Sequence, residues 1–280
     1  MNTEIHFIDV GQGNMVLIRT TNAQNYLCDC NVTSQNEGRV LAYLSSVLGN
    51  NTPIHAFICT HRDADHMRGI KKVHARFPIG KIWDSGYPGT TTNSSEYTDY
   101  MDLRRRLGYR EIIRQKREDY GQTRFRYFSA KDERLLLNAN AQGIVLKIEH
   151  RFNDQCRASA LLTGDCDAET WRCAIMEDYA IADVKSSILM GAHHGSLSFF
   201  DDPGDSKHYY LDHIKAIAPE MTVISVGPNT HGHPDPTAFR FYTDNSSGSK
   251  QGNKVFTTQE KGTMKLVLKD DGWSLTLVGK

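Results

Sequence analysis

The chain has 280 residues, 39% of them hydrophobic, which is enough for one large domain with a substantial core or for two small ones. Lysine plus arginine equals aspartate plus glutamate at 33 each, so overall charge neither requires nor excludes a polyanionic partner. No apolar run approaches the roughly 18 residues of a membrane span, and the N-terminus lacks a signal-peptide pattern. We therefore expect one cytoplasmic α/β domain over residues 1–280, without a membrane segment.

The first part of the chain predicts short strands and one helix. Apolar runs predict strands in IHFIDV, MVLIRT and NYLCDC, with a tight hairpin turn at GQGN between the first two. Apolar residues at helical spacing then predict a helix in EGRVLAYLSSVLG, and IHAFICT is typical of a buried strand. Residues 86–99 are rich in glycine, serine and threonine, which predicts a long loop.

Strand patterns resume after residue 134. GIVLKIEH and ASALLTGD predict two strands, and a helix is expected at 168–180. SSILM and MTVISVG predict two more strands on either side of a helix in KHYYLDHIKAIA, and the final strands are expected in KVFTT, TMKLVLK and WSLTLVG. Strands first, then mixed elements, then strands again predict two sheets packed together and flanked by helices.

Residue types that bind metals follow apolar runs in four motifs. They are His61, Asp63, Asp65 and His66 in THRDADHMRG, Asp165 in LLTGD, His193 and His194 in GAHHGS, and His231 and His233 in SVGPNTHGHPDP. A divalent metal needs several converging lone pairs, and two metals about 3.5–4 Å apart need a carboxylate that can bridge them. Because α/β folds usually place their chemistry at strand ends, we predict a metal centre there.

These motifs resemble, in content and order, those of metallo-β-lactamase-fold hydrolases, specifically the soluble hydrolase domain of the ComEC competence proteins and its stand-alone relatives. The matching segments are IDVGQGN, THRDADHMRG, LLTGD, GAHHGS and SVGPNTHGHPDP, which span residues 8 to 236. The resemblance implies an α/β fold of the four-layer αβ/βα sandwich type. It also implies a hydrolase that depends on divalent metals.

The resemblance further implies two divalent ions, manganese or zinc, and a role for each motif residue. The ligands would be His61 and Asp63 for one ion, Asp65, His66 and His194 for the other, and Asp165 as the bridge. His194 is favoured as the ligand and His193 as a phosphate or proton-transfer contact, although the two roles could be exchanged. His233 would be a ligand or a general acid at the edge of the site. Catalytic roles would fall on Asp65, His193 and His233.

The sequence departs from the family pattern at several positions. Asn14 stands where aspartate is usual, Ile70 replaces the second glycine after the ligand loop, and Asp63 replaces a histidine. The histidine expected upstream of Asp165 is not evident, and Asn140 lies nearest to its place. Oxygen-rich sites suit manganese better than zinc. We therefore predict that manganese is preferred and that the first ion is the more easily lost.

Residues 104–134 form a basic segment, with eleven arginines and lysines against five acidic residues and with aromatic residues interleaved. This mixture is typical of surfaces that bind a phosphate backbone and stack bases, although a solvated face has the same composition. With the resemblance, it predicts nucleic acid or a nucleotide as partner and a phosphodiesterase or nuclease as activity. The alternatives are a hydrolase of small esters, thioesters or lactams, and a binding module that has lost its metals.

Overall fold

Two β-sheets pack face to face in the computed structural model, which describes residues 1–201, 207–248 and 254–279. The larger sheet has eight strands and the smaller has seven. Helices pack on the outer face of each sheet, and a separate apolar cluster fills each of these outer layers. The order helix, sheet, sheet, helix confirms the predicted αβ/βα sandwich.

The first part of the chain contributes strands to the larger sheet and the helices that cover it. Its strands in that sheet are β1 Thr3–Phe7, β2 Val16–Arg19, β3 Asn25–Cys28, β5 Ala56–Ile58, β6 Ile82–Asp84 and β7 Tyr109–Glu111. The short strand β4 Cys30–Asn31 lies outside the sheet and pairs with Met67 and Arg68. Its helices are α1 Glu37–Leu48, α2 Ala64–Met67, α3 Ile70–Arg76 and α4 Ser95–Leu107.

The rest of the chain builds the smaller sheet and then returns to the larger one. Its strands are β8 Arg117–Tyr120, β9 Thr123–Ser129, β10 Val145–Phe152, β11 Gln155–Leu162, β12 Ile188–Met190, β13 Met221–Ile224, β14 Val255–Thr257, β15 Thr263–Lys269 and β16 Gly272–Gly279. Its helices are α5 Ala168–Thr170, α6 Met176–Asp178, α7 Ile181–Val184, α8 Asp212–Ile217, α9 Pro236–Asn245 and α10 Thr258–Lys261. A π-helical turn, Trp171–Ile175, joins α5 to α6. Among the helices of the described residues, none is long and apolar enough to cross a bilayer.

The strand order brings the carboxyl ends of several parallel strands to common sheet edges. The larger sheet runs β16-β15-β1-β2-β3-β5-β6-β7, and its pairs from β3 to β7 are parallel. The smaller sheet runs β14-β13-β12-β11-β10-β9-β8, and its pairs from β11 to β14 are parallel. The segments that follow β5, β11, β12 and β13 carry the four ligand motifs, so each motif lies at the carboxyl end of a parallel strand.

Successive side chains of a strand pack into different apolar clusters, one between the two sheets and one between a sheet and its helices. In β2, Val16 and Ile18 belong to the cluster between the sheets, whereas Leu17 packs with the helices. In β5, Ile58 faces the opposite sheet and Phe57 faces the helices. A strand that is buried on both faces needs a nearly continuous apolar run, because successive side chains point to opposite sides. This is why the central residues of β2 and β5, VLI and AFI, are all apolar.

The GQGN segment is not the predicted tight turn. It lies in a longer connection, residues 8–15, that crosses towards the smaller sheet. Gly13 has a φ of 135°, and a Cβ there would lie 2.4 Å from Asn31 Nδ2. The hydroxyl of Ser225, which follows β13, donates to the carbonyl oxygen of Gly13 at 2.7 Å. Glycine at this position therefore allows the close approach of Asn31, while its carbonyl oxygen links this connection to the smaller sheet.

Three helices of the structure, α4, α8 and α9, differ from what the sequence predicted. The predicted loop 86–99 ends early because Ser94 caps α4, with its hydroxyl accepting the N–H of Tyr97 at 3.1 Å. The helix predicted within 207–218 begins only at Asp212. Helix α9 was not predicted, although Asp235 followed by Pro236 is a strong start signal.

One histidine is buried in the helical layer of the smaller sheet. The ring of His213 on α8 stacks on Tyr210 with centroids 5.1 Å apart, and its centroid lies 4.3 Å from that of Phe199. The side chain is inaccessible to solvent. Burial lowers the pKa of His213 from 6.5 to about 3.

We expect His213 to make the fold sensitive to acid. Its pKa is lower in the folded protein, so its stabilising contribution is complete above about pH 6.5 and is lost as the pH falls, because the unfolded chain takes up the proton first. The slope is at most about 1.4 kcal/mol per pH unit. Replacing His213 with phenylalanine should flatten the free energy of unfolding between pH 6 and pH 4, as measured by urea denaturation. The exposed His55→Gln control should keep the natural slope, and an equal slope in both variants would refute the role of His213.

Candidate metal centre

The ligand motif THRDADHMRG begins directly after β5. Asp63 occupies the N-cap position of α2, but its carboxylate makes no capping hydrogen bond. Gly69 ends the motif with a φ of 74°, and a Cβ there would lie 2.4 Å from the carbonyl oxygen of Val32. The tight packing of this glycine holds the motif against the segment that follows β4.

His61, His66 and Asp165 converge in a buried pocket. His66 Nε2 lies 3.2 Å from Asp165 Oδ1, and His61 Nε2 lies 3.8 Å from Asp165 Oδ2. Buried polar atoms normally form hydrogen bonds, yet His61 Nε2, His66 Nε2 and Asp165 Oδ1 have no well-aligned partner among the described residues. Converging imidazole and carboxylate atoms with unused lone pairs are suitable ligands for a divalent metal.

A second group of candidate ligands shares His66 with the first. It consists of Asp65, His66 and His194. His194 Nε2 lies 3.0 Å from Asp65 Oδ2 and 3.8 Å from Asp165 Oδ2. His194 Nδ1 lies 2.9 Å from the carbonyl oxygen of Ser225, which turns Nε2 towards the centre. The two groups therefore lie side by side, with Asp165 next to both.

The backbone that carries His193 and His194 is unusual. Both residues have positive φ, 48° and 55°, a region that residues with a Cβ adopt only at a cost. Gly195 continues the positive-φ run at 83°, and a Cβ there would lie 2.6 Å from Pro234 Cβ. The N–H of His193 donates to the carbonyl oxygen of Gly164 at 3.1 Å, which ties this turn to the end of β11.

Three further imidazoles form a line towards solvent. His193 Nε2 lies 3.6 Å from Asp165 Oδ2, and its side chain is 30% exposed. The ring of His233 lies 5.6 Å from that of His193, and the exposed His231 lies 5.9 Å beyond it. Burial and the neighbouring imidazoles, His193 first, lower the pKa of His233. The predicted catalytic residues His193 and His233 thus lie on the open side of the centre.

One buried carboxylate of the site, Asp29, is absent from the sequence-based prediction. It follows β3 with a φ of 58° and accepts hydrogen bonds from the N–H of Thr60 at 2.7 Å and its hydroxyl at 2.8 Å. The same carboxylate lies 2.8 Å from His66 Nδ1 and so directs His66 Nε2 towards Asp165. A signal was present, because Asp29 follows an apolar strand as the other acidic residues of the site do.

Asp63 lies outside both groups. Its Oδ1 accepts the N–H of Thr90 at 2.8 Å, and its Oδ2 accepts the hydroxyl of Thr90 at 3.0 Å. Oδ2 also lies 3.8 Å from His61 Nε2, so it faces the same side of the centre. That Asp63 binds a metal stays a prediction.

The other departures from the family pattern lie near the ligand motif. The N–H of Asn14 donates to the carbonyl oxygen of Asp65 at 3.2 Å. The turn that contains Asn140 leads into Ile144, whose N–H donates to the carbonyl oxygen of Thr60 at 2.9 Å. Asn140 itself is half-buried. The segment upstream of β10 therefore lies beside the ligand motif, as the resemblance implies.

The electrostatics of the pocket favour positive charge. Burial alone would raise the pKa of Asp165, but the imidazoles of His66, His194 and His193 hold it well below its usual range. Burial alone would lower the pKa of His66, but the carboxylates of Asp165 and Asp29 raise it well above its usual value. The buried acids thus require cations beside them, and divalent metal ions can meet that requirement as protons do.

The basic segment 104–134 is largely neutralised by ion pairs. Nine of its eleven arginines and lysines lie within 4.0 Å of a carboxylate. Arg104 is mostly buried and donates to Asp84 at 2.7 Å. Arg117 and Lys131 have no ion pair within the part of the chain that the structure describes. The nucleic-acid partner stays a prediction, and few guanidinium groups of this segment are free to bind phosphate.

Comparison with known proteins agrees with this fold. The family model described as the metallo-beta-lactamase superfamily matches residues 8–138, slightly less than half of the chain. A comparison with curated protein sequences finds no match. The chain is similar in structure to YhfI from Bacillus subtilis, a metallo-beta-lactamase fold protein. Their identity is 11% and the TM-score is 0.51, over 94% of this chain and 99% of YhfI.

Two further solved structures are similar over most of this chain. CmlA, a diiron beta-hydroxylase from Streptomyces venezuelae, is 12% identical with a TM-score of 0.54 over 95% of this chain. The match covers 54% of CmlA, so the chain spans about half the length of that protein. A diphosphatase from the PhnP family is 14% identical with a TM-score of 0.50, over 95% of this chain and 99% of that one. The chain therefore has the metallo-β-lactamase fold. The finer resemblance to the ComEC hydrolase domain stays a prediction.

Proposed function

We propose that the protein is a divalent-metal-dependent hydrolase and that its substrate is a phosphodiester. The observation that carries the proposal is a set of three buried atoms that have no well-aligned hydrogen-bond partner among the described residues, namely His61 Nε2, His66 Nε2 and Asp165 Oδ1. A buried polar atom left unpaired costs about 1–3 kcal/mol. A module that only binds a partner gains nothing from three such atoms in contact, whereas a metal site requires them.

The donor set fits two ions. His61 would hold one ion, with Asp63 beside it, and Asp65, His66 and His194 would hold the other, with Asp165 between them. Two ions bound there would supply Lewis acidity, lower the pKa of a water molecule and neutralise charge on a phosphoryl group. The share of carboxylate oxygens among these donors favours manganese over zinc.

The imidazoles on the open side supply the remaining chemistry. His193 is partly exposed with its Nε2 3.6 Å from Asp165 Oδ2, and its Nδ1 lies 3.3 Å from Ser198 Oγ, which orients the ring. In this arrangement His193 holds the proton that passes to the leaving oxygen. His233, one ring further out, contacts the phosphoryl group or the leaving group.

Two observations support a small phosphodiester, such as a dinucleotide or a cyclic nucleotide, over a long nucleic acid. Most cations of the basic segment are already paired with carboxylates, so few are available to bind a phosphate backbone. The fold is also that of a PhnP-family diphosphatase. The same fold carries out hydroxylation in CmlA, so the fold alone does not select the reaction.

We expect metal-stripped protein to regain hydrolysis of a bis-aryl phosphodiester best with manganese, less with zinc and least with magnesium. A single-stranded oligonucleotide, a dinucleotide and a lactam are assayed in parallel. The dinucleotide should be hydrolysed and the lactam should remain intact. Failure of the folded protein to take up any metal would refute the metal centre. Faster turnover of the lactam than of any phosphodiester would refute the substrate class.

A further inference from the structure

The segment between β6 and α4, residues 86–94, docks onto the ligand motif at two adjacent positions. Both oxygens of the Asp63 carboxylate accept hydrogen bonds from Thr90, one from its N–H and one from its hydroxyl. Next to it, the backbone of Gly89 packs so closely that a Cβ would lie 2.0 Å from the carbonyl oxygen of Arg62. Loop 86–94 is thus fitted to the backbone of the metal motif and to the side chain of Asp63.

The rest of this loop is attached mainly at its ends. The N–H of Gly86 donates to Asp84 Oδ1 at 3.0 Å, and Ser94 caps α4. Between these ends, the residues from Thr90 to Asn93 are exposed. Exposed backbone with few buried contacts opens easily, so the contact with Asp63 is expected to govern the position of the loop.

We propose that Thr90 is a positioning residue for Asp63, so that metal binding on the His61 side of the centre and docking of loop 86–94 are coupled. This inference rests on the proposed metal centre. It concerns a contact that depends on aspartate at position 63, since an imidazole in its place could not accept both hydrogen bonds from Thr90.

The coupling follows from the lone pairs of the carboxylate. Each oxygen of Asp63 has two acceptor sites, and Thr90 uses one on each. Oδ2 therefore keeps a lone pair while it lies 3.8 Å from the unpartnered Nε2 of His61. Thr90 fixes the rotation of the carboxylate and so holds this lone pair ready for an ion. Hydrogen-bond partners of metal ligands typically change metal affinity by about 10–100-fold.

Coupling of this kind is reciprocal. If docking of the loop raises the affinity of Asp63 for the ion, then the ion must stabilise the docked loop by the same factor. The protein without metal should therefore release loop 86–94 more often than the loaded protein does. A substrate that contacts this loop would therefore meet the docked loop more often when the metal is bound.

Manganese binding tests the proposal, with free manganese measured by electron paramagnetic resonance. Thr90→Val removes the hydroxyl donor and keeps the shape, and we expect the Kd of the more weakly bound ion to rise roughly tenfold or more. Thr90→Ser should restore the natural value. The matched control is Thr92→Val, an exposed threonine of the same loop, which should bind manganese as the natural protein does. Gly89→Ala displaces both donors of Thr90 through its contact with Arg62 and should have a larger effect than Thr90→Val.

Amide hydrogen exchange provides a readout that does not depend on activity. Exchange in residues 86–94 should slow when manganese is added to the natural protein, and this protection should be lost in Thr90→Val. If the natural protein binds no metal, the proposed function and the coupling both fail. If it binds two ions and Thr90→Val matches the Thr92→Val control in both Kd and exchange, the metal centre stands and the coupling is refuted.

Discussion

Replacement of Asp165 by alanine is expected to abolish hydrolysis and to leave the protein folded. The carboxylate lies within 4.0 Å of four imidazoles, those of His61, His66, His193 and His194. A metal centre at these positions would therefore lose its central anion. Metal stabilisation of a phosphoryl transition state is worth several kcal/mol, and a loss of about 4 kcal/mol lowers the rate roughly 10³-fold.

The fold should survive this change for an electrostatic reason. Asp165 is a buried charge whose Oδ1 has no well-aligned hydrogen-bond partner within the described part of the chain, and removing it also removes the main group that raises the pKa of His66. The carboxylate of Asp29 still lies 2.8 Å from His66 Nδ1, so His66 and Asp29 keep each other as buried partners after the change. Thermal denaturation should therefore show a Tm close to that of the natural protein or above it.

The matched control for this variant is Asp167→Asn, two residues along the same segment. Asp167 caps α5 by accepting the N–H of Thr170 at 2.9 Å. Weakening this cap should cost about 1 kcal/mol or less of folding free energy and should leave metal content and turnover unchanged. Metal analysis and turnover with manganese measure both variants. A folded Asp165→Ala protein with natural activity would rule out the proposed centre.

Most strands could be predicted because each contains a short, nearly continuous apolar run. In β2 and β5 the central residues, VLI and AFI, are buried on both faces of the sheet. Strands β6 to β9 were not predicted, because β6 has only three residues and charged residues interrupt β7, β8 and β9. Since the motif residues follow such strands directly, the meeting of His61 with Asp165 could also be expected from the sequence. The basis is the general rule that α/β folds place functional residues at the carboxyl ends of their strands.

The contacts that orient the ligands could not be predicted, because each joins segments that are far apart in the chain. The sequence left open which residue of the pair at 193 and 194 faces the centre. In the structure the carbonyl oxygen of Ser225 turns His194 inward, and His193 stays partly exposed. The partnership of Asp63 with Thr90 is of the same kind. Long-range hydrogen bonds of this sort leave no periodic signal in the sequence.

The ion pairs of the basic segment show the same limitation. Composition correctly indicated many arginines between 104 and 134, but their partners include Asp84, Asp178 and Asp183, which lie outside that segment. Charge on a stretch of sequence therefore overstated the charge available on the surface. The most buried of these three partners is Asp84, which is 1% exposed.

Replacement of Asp84 by asparagine is expected to destabilise the fold strongly and to weaken metal binding. Asp84 is buried, and its Oδ2 accepts hydrogen bonds from Tyr100 at 2.6 Å, Arg104 at 2.7 Å and Arg62 at 3.0 Å. The amide would leave the guanidinium of Arg62 without a carboxylate partner among the described residues, and Arg104 with the exposed Glu111 at 3.6 Å. Breaking a buried ion pair costs about 3–5 kcal/mol. The expected decrease in Tm is roughly 10 °C.

The metal centre should respond because Arg62 lies between His61 and Asp63 in the ligand motif. Asp84 binds the guanidinium of Arg62 and so keeps this side chain away from the ions. The carbonyl oxygen of Arg62 packs closely against Gly89 of loop 86–94. Once released, that positive charge could approach the divalent ions and oppose their binding. We therefore expect a rise in the manganese Kd as well as the loss of stability, measured on protein kept below its lowered Tm.

Two companion variants separate this effect from a general loss of surface charge. Arg105→Gln changes a side chain on α4 that is 80% exposed and paired with Asp102 of the same helix, so it should alter stability by no more than about 1 kcal/mol. Arg104→Gln combined with Asp84→Asn removes one of the two guanidinium groups that lose Asp84, so the double variant should be more stable than the additive sum of the single changes. Strict additivity would mean that Arg104 and Asp84 act independently. In that case the buried network would not be what holds the ligand motif in place.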